Sequence, residues 1–428
     1  MRAAFARLAL PVLLLATAGG CTVGAPAAGT AGAPPGASNG AEHAGDDAPS
    51  SWSPSADEPA RGEARWTVFV YANGDNGRSA DLEAELARMN DAPLGEDVHV
   101  VVLADWNAGL TDREGRRFPS GSDWITLPGG GAAPTVHRER EQDFDDPAVL
   151  RAALARAYRE HPAERHGLIV WSRGEAGDTQ DGTRAGASAM STSAMIAAVR
   201  AGLADAGISG ALDVLGLDSY APARVEVAYA ARDVARVYVA NRADHDGTSW
   251  AYPDAFAFLA RTPSATGTDF AAFEAAAAGA QNARPHAAIR TDKLEGLASA
   301  TASLVHAVAE RPAVLPRVVD AIAVAASSAE AGWAPSYARF ASELARTADD
   351  AAVTTAAELV VAALVDVSVQ ASGAVPEELG IGLPFDASPA SAAEYLETAR
   401  AWCARTGWDA LLTSFLTGGS GDGSSTRP

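Results

Sequence analysis

The residues best suited to chemistry fall at the ends of three short apolar runs: Trp171-Ser-Arg-Gly174, Leu217-Asp-Ser-Tyr220 and Ala240-Asn-Arg-Ala-Asp-His245. Ser219 and His245, the latter beside Asp244, hold a hydroxyl and an imidazole of the kind that act together in nucleophilic catalysis. Their neighbours are unsuited to it. A guanidinium stays protonated to above about pH 12, so Arg173 cannot take a proton from a nucleophile near neutrality. A phenol of pKa near ~10 is mostly un-ionised there, which leaves Tyr220 a poor nucleophile. His166 begins the run that ends at Arg173 and, at about 3.3 Å per residue, stands on the order of 20 Å from it; a strand-end surface histidine is expected. Cys403 falls in a late helical stretch, AEYLETARAWCARTGW, and is expected to be a buried structural thiol.

For those run ends to meet, the runs must be strands of one sheet. Trp66–Tyr71, Val98–Leu103, Leu168–Trp171, Leu212–Leu217 and Val237–Ala240 are mostly continuous in apolar residues, as a sheet buried on both faces requires. Helical patterns lie between them. Asp146-Pro147 opens one, with Pro at the first helical position, and Ser191 or Ser193 can cap another that runs through Met195 to Gly207. The alternation predicts an α/β fold, a mainly parallel sheet covered by helices on both faces. In such a sheet ligands gather beyond the carboxyl ends of the strands, where the three run ends named above lie. From about Asp292 to Leu364 the chain is Ala-rich with apolar residues at helical spacing, which predicts helices packed on the sheet. Pro128-Gly-Gly-Gly131 lacks a Gly-Lys-Ser/Thr continuation and reads as a flexible turn rather than a phosphate loop. Asp145-Asp146 and Asp349-Asp350 precede helical patterns and are expected as capping charges, not metal ligands.

The first residues read as an export signal. Arg2 and Arg7 mark a charged start, Leu8 to Thr17 is an apolar run too short to span a bilayer, and Ala18-Gly19-Gly20 leads into Cys21. This predicts a lipoprotein signal peptide over 1–20 and lipidation of Cys21, hence an exported protein anchored to the bacterial cell envelope. Residues 21–64, rich in Ala, Gly, Pro and Ser, are expected to be a disordered tether, and 418–428 a disordered tail. Loss of Arg2 and Arg7 with the signal takes the formal net charge from -21 to two charges lower, which opposes binding to nucleic acid and favours basic partners. Beyond Cys21 the chain keeps only Cys403, so no disulfide is expected within it.

At the level of whole blocks the chain resembles a known family. Trp66-Thr-Val-Phe-Val-Tyr-Ala-Asn-Gly-Asp-Asn76, Leu168-Ile-Val-Trp-Ser-Arg-Gly174, Asp213-Val-Leu-Gly-Leu-Asp-Ser-Tyr220, Val225-Glu-Val-Ala-Tyr229 and Ser249-Trp-Ala-Tyr252 are similar in order and spacing to successive blocks of the clostripain family of cysteine peptidases. Gly380-Ile-Gly-Leu-Pro-Phe385 is similar to a late strand block, and Thr406-Gly-Trp-Asp409 to the closing helix. The resemblance covers residues 65–417. It implies a core over about 65–260 and a helical, closing region over about 265–417.

The family resembles caspases and gingipains in fold, with a catalytic His after one central strand and the nucleophilic Cys after the next. The resemblance puts Arg173 in the His slot and Tyr220 in the Cys slot, which implies a peptidase frame without its dyad. Asp218 matches the acid that pairs a substrate Arg or Lys, and Gly174 the glycine whose amide helps form the oxyanion hole. A second pocket acid, usual in a Gly-Asp-Gly-Trp stretch, is lacking in Gly247-Thr248-Ser249-Trp250, with Asp246 one step too early. Some members respond to calcium, but no loop here has clear ligand spacing, and neither metal nor cofactor is expected. Two arrangements are open: Arg173 reaches Asp218 and fills the chain's own cation pocket, or Arg173 turns to solvent and Asp218 caps the following helix. The expectation is a degenerate peptidase homologue that binds or scaffolds peptides or proteins with exposed basic residues. The alternative is a divergent hydrolase that cleaves after Arg or Lys with Ser219 and His245. Against it, a one-residue step along a strand turns Ser219 away from the vacant slot.

Overall fold

Ala64–Ala72 form β1, and every residue of it except Arg65 is buried, so the strand has no solvent face to alternate with. The computed structural model describes residues 64–75, 77–112, 114–175, 190–220, 223–241, 250–282, 286–327, 335–369, 379–381 and 389–418. The signal, Cys21, the tether and the tail segment 419–428 lie outside them. Among the described residues no helix is long and apolar enough to cross a membrane.

The other strands are β2 (Val98–Ala104), β3 (Asp123–Leu127), β4 (Thr135–Arg138), β5 (Ala163–Glu175), β6 (Leu212–Tyr220), β7 (Ala235–Asn241) and β8 (His286–Arg290). They form one sheet in the order β4-β3-β2-β1-β5-β6-β7-β8. The five apolar runs read from the sequence are its parallel centre, β2-β1-β5-β6-β7. Three antiparallel strands complete it, with β3 and then the edge strand β4 beyond β2, and the edge strand β8 beyond β7. Sequence reading missed these three. All four residues of β4 are exposed, and β8 lies beyond the region read as core.

Helices cover both faces. On one face, α1 (Ser79–Asp91), α5 (Tyr252–Arg261) and α6 (Gly267–Asn282) pack over Val68, Val70, Ile169, Trp171, Val214 and Val239. On the other, α2 (Pro147–Glu160), α3 (Thr192–Asp205) and α4 (Val225–Ala231) pack over Phe69, Leu168, Val170, Leu215 and Leu217. Behind these lies the Ala-rich region, as α7 (Leu294–Ala309), α8 (Leu315–Ser327), α9 (Tyr337–Thr347), α10 (Ala351–Val367), α11 (Pro389–Thr406) and α12 (Trp408–Gly418). Adjacent residues on a central strand thus serve two separate cores, and this period of two orients the residues at the strand ends.

Caps follow the sequence cues. Asp146 accepts from Ala148 N at the start of α2, Ser191 from Ala194 N at α3, and Asp350 from Ala352 N and Val353 N at α10. The glycine run is a turn but is pinned rather than free: Gly129, Gly130 and Gly131 all have φ between 64 and 77°, and the amides of Gly130 and Gly131 bond to the carbonyls of Ala92 and Asn90 past and at the end of α1. Gly380, at the head of the late block, makes two isolated bridges, to Arg224 and to Ser336, instead of a strand; 382–385 lie outside the described residues.

Candidate functional site

The carboxyl ends of β1, β2, β5, β6 and β7 lie at one edge, joined there by the first residues of the antiparallel β3 and β8. Along β6, Val214 belongs to the core under α1, α5 and α6, whereas Leu215 and Leu217 belong to the opposite one. Asp218 therefore falls on the Val214 side. It is buried, and Tyr252 Oη at the start of α5 donates to its carboxylate at 2.7 Å. Burial, then the charges of Asp218 and Glu85, push the Tyr252 phenol well above its ordinary range, so it stays a donor at every working pH.

Trp250 stacks on Tyr252, with ring centroids 5.9 Å apart, and seats its indole on Gly216, where a Cβ would stand 2.4 Å from a ring carbon. Only glycine leaves room there. From α1, Glu85 takes two hydrogen bonds from Arg88 Nη1, at 2.8 and 3.0 Å, and Arg88 Nη2 reaches the Trp250 carbonyl at 3.4 Å. Burial first, and the Asp218 charge second, raise the Glu85 carboxyl to about 7, against the pull of Arg88. The Arg78 guanidinium lies 4.9 Å from the centroid of the Trp171 ring, a cation–π contact at the end of β5. On the β8 side, His286 Nδ1 lies 3.0 Å from Glu274 Oε2, with both side chains fully buried.

The β5–β6 register is regular through Trp171↔Asp218 and resumes at Glu175↔Tyr220, so four steps on β5 match two on β6. Residues 172–174 form the resulting bulge. Bulges re-aim side chains, and this one holds Arg173 and Gly174. The side chains of Arg173 and Tyr220 lie outside the described residues, as do His245, Asp244, Asp246 and 247–249. Ser219 occupies the face opposite Asp218; its carbonyl accepts from Asn241 Nδ2 at 2.8 Å, and its buried Oγ has no hydrogen-bond partner among the described residues.

Helix capping by Asp218 is not what the structure holds. The N-cap of α4 is Arg224, with no side-chain cap bond, and Asp218 is turned to Tyr252. His166 is half-buried, edge-on to Tyr158 at 4.7 Å, with its amide bonded to Asp213, rather than a surface residue. Burial pushes the Cys403 thiol up to about 12, which suits an inert packing role. Sequence spacing also missed a carboxylate group. Asp75, Asp105 and Glu141, from three separate segments, each place an oxygen within 4.8 Å of the others, a donor set suited in type to a hard cation. Asp105 also accepts from Ser122 Oγ, and Glu141 from the Gly121 amide.

The sheet order and the acid at the end of a central strand meet the sequence resemblance on independent ground. The profile of the clostripain family matches residues 70–349, about two thirds of the chain. The chain belongs to the clostripain family. Solved structures agree in fold. An inactive zymogen C11 protease from Parabacteroides distasonis is 15% identical, with a TM-score of 0.58 over 81% of this chain and 99% of that one. A secreted C11 cysteine protease from Bacteroides thetaiotaomicron, in complex with an irreversible peptide inhibitor, is 16% identical, with a TM-score of 0.55 over 81% of this chain and 100% of that one. No curated protein matches the chain. This clostripain-family member therefore has a caspase-like sheet whose carboxyl edge carries Asp218, with Tyr252 and the Glu85–Arg88 pair held against it.

Proposed function

We propose that this clostripain-family chain is a cell-envelope protein that binds peptides or proteins through exposed basic residues and has lost the family's peptidase chemistry. The observation that carries the reading is the pair Arg173 and Tyr220 at the ends of β5 and β6, in the slots where the family resemblance puts His and Cys. Neither residue replaces what is missing: a permanently charged guanidinium is no base, and an un-ionised phenol no thiolate. A well-placed base alone is worth about 10²- to 10⁴-fold, and without the thiolate the covalent route is closed. Asp218 supports retained recognition, because a buried carboxylate at the strand end is suited to a guanidinium or ammonium group. A peptide ligand is in keeping with the peptide inhibitor held by the Bacteroides relative. Export and a lipid on Cys21 complete the proposal; Cys21→Ser is expected to move the protein from the membrane to the soluble fraction.

The competing reading is a serine hydrolase built on Ser219 and His245. The placement of Ser219 on the face away from Asp218 counts against it, since nucleophile and pocket acid must address one substrate.

The test is turnover of fluorogenic Arg- and Lys-peptides by the full chain beside its Arg173→His/Tyr220→Cys double variant. Silence from the first with activity in the second is the expected outcome. Turnover by the unmodified chain, abolished by Ser219→Ala, overturns the proposal in favour of the hydrolase.

A further inference from the structure

Below Asp218, on the α1/α5/α6 side of the sheet, lies a group of polar atoms that the protein does not satisfy. Trp250 Nε1, Glu274 Oε1 and His286 Nε2 have no hydrogen-bond partner among the described residues, and all three residues are fully buried. They are neighbours: the Trp250 and His286 rings have centroids 5.8 Å apart, and His286 Nδ1 is on Glu274 Oε2. Their place is below the pocket acid. Trp250 sits on Gly216, two residues before Asp218 on the same side of β6, and the Asp218 and Glu274 charges both act on Tyr252 and on His286. A buried polar atom without a partner is costly, so three together call for polar guests, a ligand group or water.

The donor and acceptor pattern identifies the guest. Glu274 Oε1 is an acceptor. With the Nδ1 proton shared with Glu274, His286 Nε2 is an acceptor in the neutral imidazole. Two acceptors, the charges of Asp218 and Glu274, and the aromatic rings of Trp250 and Tyr252 suit a cationic donor. Only the indole N–H, itself a donor, is not matched by a cation and calls for a water.

We propose that Glu274 and His286 form the inner end of the basic-residue pocket, where they receive the guanidinium or ammonium tip of a ligand Arg or Lys whose stem passes Asp218. The inference rests on the reading of Asp218 as pocket acid, and it supplies from α6 the second acid that the stretch Gly247-Thr248-Ser249-Trp250 lacks, with His286 of β8 beside it. These side chains are closed to solvent, so entry requires the site to open.

Proton release follows from the same geometry. Burial disfavours the His286 imidazolium, but the Glu274 charge and hydrogen bond, and then the Asp218 charge, outweigh it and hold His286 above its ordinary range. The other ionisable groups around this layer are Tyr252 on α5 and the Glu85–Arg88 pair on α1. When a guest cation takes Glu274 Oε1 and needs the Nε2 lone pair, His286 gives up its proton to solvent, one cation in and one proton out.

The experiment is calorimetric titration of the full chain with a short peptide carrying a single Arg, and with its citrulline counterpart, near pH 6 in two buffers of different ionisation enthalpy. Arg-dependent binding that releases about one proton is expected. Glu274→Gln should weaken that binding about tenfold or more and remove the buffer dependence, and Asp218→Asn should weaken it as well. Buffer-independent binding by the unmodified chain overturns the inference without recourse to a variant. Loss of affinity in Asp218→Asn with none in Glu274→Gln overturns it too, and leaves Asp218 as the pocket acid. No Arg-dependent binding by the unmodified chain overturns both the inference and the reading beneath it.

Discussion

Asp218 shows how little a residue's identity says about its use. As a letter it is an acid at a strand end; in the fold it is a buried carboxylate held by the Tyr252 hydroxyl, 34 residues away. Removal of that donor with Tyr252→Phe takes away one hydrogen bond to a charged, buried group. The expected loss is about 1–3 kcal/mol in urea unfolding, and an unchanged midpoint would mean that Tyr252 does not hold the carboxylate. Gly216 is the tighter constraint. Gly216→Ala drives a methyl to 2.4 Å from the Trp250 ring, with Ile169 on the other side, so an overpacking penalty of about 1–3 kcal/mol is expected in thermal unfolding. The same variant should also lower affinity for Arg peptides if Trp250 walls the pocket.

At the scale of elements, what a segment's own residues dictate was legible. The central strands announce themselves because burial on both faces forces them to be apolar throughout, and the helices because Asp146, Ser191 and Asp350 satisfy amides that would otherwise lack partners. Asp350→Ala leaves the Ala352 and Val353 amides at the head of α10 without that acceptor, and should destabilise the protein by about 1 kcal/mol in urea unfolding, with Asp350→Asn losing much less. The edge strand β4 carries no such mark. Thr135-Val-His-Arg138 is wholly exposed, and only its pairing to β3 makes it a strand. Nor does anything in Trp-Ser-Arg-Gly announce the bulge between Trp171 and Glu175, since a bulge is a mismatch between two strands and belongs to neither.

For the molecule as a whole, charge and pH pull together. Folded Glu85 keeps its proton to about 7, whereas in the unfolded chain it ionises near 4.5. As pH rises between those values the unfolded state ionises first, so stability falls; at ~1.4 kcal/mol per tenfold change in proton affinity the full loss is about 3 kcal/mol. His286, raised in the fold, adds stability that is fully present below the imidazole's unfolded value and is lost as pH climbs through the folded one. Both act in one direction, and a net charge of -21 adds self-repulsion at the alkaline side. Denaturant midpoints should therefore rise from pH 8 to pH 5.5, and Glu85→Gln should flatten the rise. A midpoint that falls over that range would refute the Glu85 assignment.

The sequence alone determined the parallel centre of the sheet and the caps, because each depends on residue type at a fixed local spacing; the family was legible in the order of its blocks, and Asp218 as pocket acid is what that resemblance implies. In the proposed reading, Arg173 and Tyr220 are poor substitutes for a base and a thiolate as a matter of intrinsic pKa, which residue type alone fixes. Only the tertiary structure decided what stands around Asp218. Glu85, Tyr252, Glu274 and His286 lie on three helices and one strand, α1, α5, α6 and β8, and they come together only where those helices close over one face of the sheet. Burial, which raises Glu85 and sets Tyr252 as a permanent donor, is a property of that closure and of no single stretch of chain.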